Sequence, residues 1–127
     1  MKKLLMLMPV LFAAMSFTVF AQAAATITAQ PAATTIVFAG FIEGSLNVGA
    51  SAAGGQALSF QWFRNTANNN AGGTAVAGAT SANFIIPTNL PPGEHFFFIE
   101  VRAGGGTPTR SNVATVRVFD FEECDLC

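Results

Sequence analysis

Apolar and polar residues alternate with a period of two from about residue 45 to residue 119, and this pattern dominates the sequence. In the segment LSFQWF, Leu58, Phe60 and Trp62 would line one face of a strand while the residues between them point away. Stretches rich in glycine, proline and asparagine interrupt the alternation at short intervals, as in Asn65–Gly73 and Pro91–Gly93. Short alternating segments separated by turn residues are typical of an all-β sandwich or barrel.

The first 23 residues have the organisation of a secretory signal peptide. Lys2 and Lys3 form a short positive region, the segment Leu4–Phe20 is almost uniformly apolar, and AQA at residues 21–23 offers the small residues of a cleavage site. A membrane anchor is the alternative, because the apolar run is near the shortest length that spans a bilayer. No basic stop-transfer cluster follows the run, so we expect cleavage without membrane insertion and an exported protein that is periplasmic, at the cell surface or secreted.

Cleavage leaves a domain over residues 24–119 and an acidic tail over residues 120–127. The strong cations in this part are four scattered arginines, against seven aspartates and glutamates, which gives a net charge of −3 with histidine neutral. A nucleic-acid interface needs clustered basic charge, and so does a polybasic surface that binds a membrane. The sequence excludes both classes of partner.

The segment EHFFFIEVR indicates which of its phenylalanines face water. Glu100 and Arg102 must be solvated, so the alternation turns Phe96 and Phe98 outward with them. The opposite parity turns four residues inward: His95, Phe97, Ile99 and Val101. Phe63 faces outward on the neighbouring strand, so Phe63, Phe96 and Phe98 form a candidate interaction face. The alternative is that the asparagine-rich loop or the C-terminal tail folds over these rings.

Four segments together resemble, in order and spacing, the immunoglobulin-like domains of bacterial extracellular and cell-surface proteins. They are ITAQPAATT, GSLNVGASAAGGQALSFQWF, GGTAVAGATSANFIIPTNLPPGEHFFF and SNVATVRV, and the match extends over about residues 26–118. The resemblance implies an all-β fold, an immunoglobulin-like β-sandwich of about seven antiparallel strands with no inter-sheet disulfide. It also implies a spacer, adhesion or interaction module without catalytic chemistry.

The resemblance and the alternation together predict the core. Trp62 corresponds to the buried tryptophan of the third strand in the family. Val48 and Phe97 occupy the two positions that hold the inter-sheet cysteines of antibody domains. The alternation in SANFIIP adds Phe84 and Ile86 to the inward face.

His95 is the only histidine, and it stands where the family usually carries the tyrosine of its corner motif. Acid–base catalysis would need a partner within reach, but the neighbouring Glu94 and Glu100 point to the opposite face of the strand. We therefore expect no catalytic residue, no cofactor and no enzyme activity.

The tail ends in a C-x-x-C motif formed by Cys124 and Cys127, the only cysteines of the chain. Acidic neighbours disfavour the thiolate that thioredoxin-like chemistry requires, and a structural zinc site needs four ligands. In an oxidising compartment a local disulfide or an intermolecular link is the expected state, so we assign no metal site. Metal binding and a truncated or misread C-terminus are the alternatives.

The sequence favours an exported, non-catalytic module that acts in protein interaction, in adhesion or as a structural spacer at the cell envelope. Its partner is a protein or glycan ligand, a second copy of the chain, or a tandem neighbour domain. One alternative is a carbohydrate-binding adhesin that uses Phe63, Phe96 and Phe98 as sugar platforms. Another is a redox or metal-handling protein that uses the terminal cysteines.

Overall fold

The computed structural model describes residues 24–121, which form a six-stranded sheet packed around one core against a second layer of two two-stranded sheets. The strands, in chain order, are β1 (Thr26–Ala29), β2 (Thr34–Phe38), β3 (Ser45–Asn47), β4 (Gly49–Ser51), β5 (Leu58–Asn65), β6 (Thr74–Ala75), β7 (Asn83–Ile85), β8 (Gly93–Ala103), β9 (Thr109–Arg110) and β10 (Ala114–Phe119). A short 3-10 turn covers Ala53–Gly55. No helix within this part of the chain is long and apolar enough to cross a membrane. The predicted signal peptide and the pair Cys124 and Cys127 lie outside the described residues.

The larger sheet, called the front sheet below, has the strand order β2-β10-β8-β5-β6, with β9 pairing to β8. Its ladders are antiparallel except the one between β2 and β10, which is parallel. The longest strand, β8, pairs with β5 from Leu58↔Ala103 to Asn65↔Phe96. The all-β sandwich predicted from the alternation is confirmed.

The opposite layer, called the back sheet below, consists of two separate antiparallel pairs, β4 with β1 and β3 with β7. The alternation of Leu46, Val48, Ala50 and Ala52 with polar or small residues predicts one continuous strand. In the structure the ladder breaks at Val48, whose N–H donates to the carbonyl of Ala82 at 3.1 Å. The two halves of the strand therefore pair with different partners. A Cβ at Gly49 would lie 2.9 Å from Thr28 Oγ1, so glycine at this position lets β1 approach closely.

The core lies between the two sheets and is centred on Trp62, which is fully buried. Its ring stacks on Phe84 with centroids 5.3 Å apart, and Phe84 lies 5.2 Å from the ring of Phe97 on the front sheet. The indole N–H donates to the carbonyl of Ser81 at 2.8 Å, so the polar atom of the buried ring has a partner. All five residues that the sequence placed in the core are buried: Trp62, Val48, Phe97, Phe84 and Ile86.

The two ends of the described chain lie at opposite ends of β10. Thr109 Oγ1 donates to the carbonyl of Ala25 at 2.7 Å, which fixes the start of the domain beside β9. The chain leaves the front sheet at Phe119, at the far end of β10. The chain therefore enters the domain at one end of the sandwich and leaves it at the opposite end.

Candidate interaction surface

The three phenylalanines of the sequence-derived interaction face lie on the outer side of the front sheet. Phe63 pairs with Phe98 in the β5–β8 ladder, and Asn65 pairs with Phe96. Their neighbours of opposite parity, Trp62 and Phe97 among them, belong to the core. The direction of the side chains thus follows the sequence argument, but direction alone does not determine exposure.

Phe98 is fully buried, so the predicted exposure of this residue is wrong. Its ring lies parallel to that of Phe63, with centroids 5.2 Å apart and planes inclined by 1°. The guanidinium carbon of Arg110 lies 5.0 Å from the centroid of Phe98 and 5.3 Å from that of Phe63. The cation covers both rings, and we call Phe63, Phe98 and Arg110 the arginine-capped stack.

The loop between β5 and β6 completes the cover, as the alternative interpretation of the sequence proposed. Arg110 Nη1 donates to the carbonyls of Asn70 and Gly72 at 2.8 and 3.3 Å. Asn70 Nδ2 donates to the carbonyl of Ser111 at 2.8 Å, which ties the loop to the segment after β9. A Cβ at Gly73 would lie 3.1 Å from two ring carbons of Phe98, so the backbone itself packs against the ring.

Glu100 forms ion pairs with two arginines beside the arginine-capped stack. Its side chain is only 11% exposed, and its carboxylate receives Arg110 at 3.1 Å and Arg102 at 3.2 Å. Within residues 24–121 no buried side-chain nitrogen or oxygen lacks a hydrogen-bond partner. The arginine-capped stack and Glu100 therefore form a satisfied structural cluster that offers a ligand no free polar group of its own.

A second apolar surface lies at the other edge of the front sheet. We call it the aromatic patch, and its members are Ile36, Phe38, Phe41, Phe119 and Phe121. Three of them are largely exposed: Ile36 by 56%, Phe41 by 71% and Phe121 by 64%. The rings form a chain in which Phe38 lies 6.2 Å from Phe119 and 6.4 Å from Phe121, and Phe121 lies 5.9 Å from Phe41.

Backbone pairing brings the members of the aromatic patch together. Phe38 is the register partner of Phe119 in the parallel β2–β10 ladder. A tight turn then returns the chain, because the N–H of Phe41 donates to the carbonyl of Phe38 at 2.9 Å. Gly40 has φ +86°, the conformation that a type II turn requires at its third position. Arg117 borders the patch, 5.6 Å from the centroid of Phe119, and pairs with Glu94 at 3.3 Å.

Sequence reasoning missed the aromatic patch, although part of its signal was present. In VATVRVF the alternation turns Val118 inward and therefore Phe119 outward, since neighbours in a strand point to opposite faces. The segment TTIVFAGF alternates as well, which would have turned Ile36 and Phe38 to the same side. Nothing local to either segment indicates that the two strands are neighbours. Only the three-dimensional structure shows that their outward side chains form one patch.

An open groove runs between the β5–β6 edge and the connection that leads into β8, and Phe96 lines it together with Arg64, Leu90 and His95. Nε2 of His95 lies 2.8 Å from the carbonyl oxygen of Pro91. Because a carbonyl oxygen can only accept a hydrogen bond, Nε2 carries the hydrogen and is the donor. The histidine thus makes the upstream backbone contact that the corner tyrosine makes in immunoglobulin domains. Within residues 24–121 no group of three or more metal-ligating side chains is assembled.

Comparison with known proteins identifies the fold and not the family. No family model matches the chain, and no curated protein matches it. A solved structure titled "Sidekick-1 immunoglobulin domains 1-5" superposes with a TM-score of 0.54 at 20% identity, over 78% of this chain and 20% of that one. A second, "Sidekick-1 immunoglobulin domains 1-4, crystal form 1", gives a TM-score of 0.49 at 21% identity, over 81% of this chain and 26% of that one. This chain spans about a fifth of the length of the first structure, and its fold is an immunoglobulin-like β-sandwich.

Proposed function

We propose that this chain is an exported, non-catalytic immunoglobulin-like module of a bacterial cell envelope, and that it binds another protein through the aromatic patch. The observation that carries the proposal is the exposure of Phe41 and Phe121, at 71% and 64%, on a surface continuous with Phe38 and Phe119. Monomeric proteins seldom expose large contiguous apolar surfaces, and aromatic residues are enriched at protein interfaces. Export is supported by the signal-peptide organisation of the first 23 residues.

The size of the aromatic patch sets the strength of binding that it supports. A buried phenylalanine removes on the order of 150 Å² from water, at about 25 cal/mol per Å² of apolar surface. Covering Phe41, Phe121 and Ile36 thus contributes several kcal/mol, and association costs at least about 4 kcal/mol in lost freedom of motion. The patch alone supports a weak or transient complex, which suits an adhesion or assembly module, and tighter binding requires contacts beyond it.

The carbohydrate-binding alternative loses most of its sequence support. It needed Phe63, Phe96 and Phe98 as open platforms, but Phe98 is fully buried and Arg110 lies over the ring of Phe63. The redox or metal-handling alternative depends on Cys124 and Cys127, which lie outside the described residues and leave that alternative a prediction.

Site-specific photo-crosslinking in the cells that make the protein tests the proposed function. A benzophenone amino acid is placed at Phe41, and a matched control carries it at Ile85, which is 71% exposed on the back sheet. We expect a protease-sensitive adduct at position 41 in the envelope fraction and none of comparable yield at position 85. Equal yields at the two positions, or no protein adduct at position 41, would contradict a binding role for the aromatic patch.

A further inference from the structure

We propose that the partner of the aromatic patch is a second copy of this chain, joined through antiparallel pairing of two β2 strands across a two-fold axis. The inference rests on the proposed function, because it assigns a partner to the same surface. It adds to that function a backbone interface, which the aromatic patch alone does not provide.

The outer edge of β2 is open in the described part of the chain. β2 is the last strand of the front sheet, and only β10 pairs with it. The N–H of Thr115 donates to the carbonyl of Ala33, and the N–H of Ala39 donates to the carbonyl of Phe119, both at 2.9 Å. In a parallel ladder alternate residues bond to one neighbour, so the odd-numbered residues of β2 face β10. The N–H and C=O groups of the even-numbered ones, such as Ile36, face the open edge.

The edge strand β2 has none of the sequence features that usually prevent an exposed strand from pairing with another chain. Protected edges have lysines, prolines, bulges or very short strands. The segment Thr34–Phe38, TTIVF, has neither charge nor proline, and its register with β10 runs without a bulge from Thr34 to Phe38. No charged residue occurs between residues 24 and 42. The opposite edge of the front sheet, β6, is only two residues long.

The sequence of β2 is complementary to itself about Ile36. A two-fold axis through this residue places Ile36 opposite Ile36 of the second copy, and Thr34 opposite Phe38. These are the residues whose backbone groups face the open edge, so each pair is a hydrogen-bonded antiparallel pair. Aromatic and β-branched side chains are favourable cross-strand neighbours, and no like charges meet. The two front sheets become continuous, with both aromatic patches on one outer face.

A second copy fits this edge better than an open-ended assembly. Pairing of β2 with β2 uses the same surface on both chains and therefore closes at a dimer. Growth beyond the dimer would need a second strand edge of similar length, and β6 does not provide one in the front sheet. The predicted product is a closed dimer with one continuous front sheet.

Sedimentation velocity over a concentration series tests the proposal, on purified protein with Cys124→Ser and Cys127→Ser so that disulfides of the tail cannot link two chains. We expect a reversible monomer–dimer equilibrium. Ile36→Lys sets two ammonium groups against each other at the axis and should weaken the dimer at least about tenfold, since like charges across an interface cost several kcal/mol. Ile85→Lys, a matched change at an exposed isoleucine of the back sheet, should leave the equilibrium unchanged.

The register is tested by disulfide trapping on the same serine background. Ile36→Cys should give an oxidised dimer, and Ile85→Cys should stay monomeric under the same oxidation. A protein that is monomeric at all concentrations would overturn the proposal, as would a dimer that survives Ile36→Lys or is weakened equally by Ile85→Lys. If the protein is monomeric but position 41 still crosslinks to a different protein, the dimer proposal is wrong and the proposed function stands. If the protein is monomeric and position 41 gives no adduct, both the dimer proposal and the proposed function are wrong.

Discussion

The rings of Phe63 and Phe98 lie within 1° of parallel, 5.2 Å apart, under the guanidinium of Arg110. This contact divides the outer face of the front sheet into two parts. The part over β5 and β8 is closed by the stack, its arginine and the loop after β5. The part over β2 and β10 is left open and carries the aromatic patch.

Burial on the outer face makes Phe98 as important for stability as a residue between the sheets. Phe98→Ala should lower the free energy of unfolding by about 3–5 kcal/mol, because the lost ring leaves a cavity beneath Arg110. Phe41→Ala, which removes the same ring from an exposed position, should change it by less than about 0.5 kcal/mol. Urea denaturation of the two variants measures both values. Similar losses in the two variants would mean that the loop does not cover Phe98.

Arg110 holds the loop after β5 onto the sheet. Arg110→Ala removes its contacts with Asn70, Gly72 and Glu100, and should lower the free energy of unfolding by about 2–3 kcal/mol. Hydrogen exchange should accelerate selectively in residues 66–73, as seen by mass spectrometry of peptides. Arg102→Ala is the control, since that side chain is 48% exposed and its pair with Glu100 should contribute about 0–1 kcal/mol. Equal losses at the two arginines would argue against the anchoring role.

Alanine substitutions at two glycines distinguish the free-energy cost of backbone strain from that of close packing. Gly40→Ala should cost about 1–2 kcal/mol, because φ is +86° while nothing lies within 4 Å of the added Cβ. Gly73→Ala should cost about 2–4 kcal/mol, because the same backbone strain is joined by a Cβ 3.0 Å from the backbone oxygen of Arg64 and 3.1 Å from the ring of Phe98. The difference between their denaturation midpoints reports the packing of the loop on Phe98 and on the backbone of β5. A smaller loss at Gly73 than at Gly40 would show that the loop yields to the added methyl group.

The corner contact of His95 should be replaceable by the residue that the family resemblance assigns there. His95→Phe loses the hydrogen bond to the carbonyl of Pro91 and should lower the free energy of unfolding by about 0.5–1.5 kcal/mol. His95→Tyr keeps a donor at the tip of the ring and should recover most of that loss. Thermal denaturation of the two variants side by side measures the difference. A tyrosine variant no more stable than the phenylalanine variant would show that the contact contributes little.

The sequence predicted the core because its signal is local. Glu100 and Arg102 determine the parity of β8 by themselves, and a tryptophan in an alternating run belongs inside a two-layer sandwich. The burial of Trp62 and of Phe97 therefore follows from residues that lie within a few positions of each in the chain.

The surface was harder to predict because its character depends on contacts between distant residues. Phe98 is buried by Arg110 and by a glycine in another loop, and the two-residue period carries no information about either contact. The aromatic patch depends on the parallel pairing of β2 with β10, whose partners Phe38 and Phe119 are far apart in the chain. Alternation assigns a side chain to a face of its strand, and long-range contacts decide whether that face is covered.

The parallel ladder between β2 and β10 also has a mechanical consequence. The chain enters the domain beside Thr109 and leaves it beyond Phe119. Tension on the two ends therefore pulls β2 and β10 in opposite directions along their common axis. Once β1 has detached from β4, the hydrogen bonds along the ladder that runs from Thr34↔Thr115 to Phe38↔Phe119 bear that load together, in shear, and do not open one after another as in peeling. When tension acts on the two ends of the domain, we expect this ladder to set the force at which the domain unfolds.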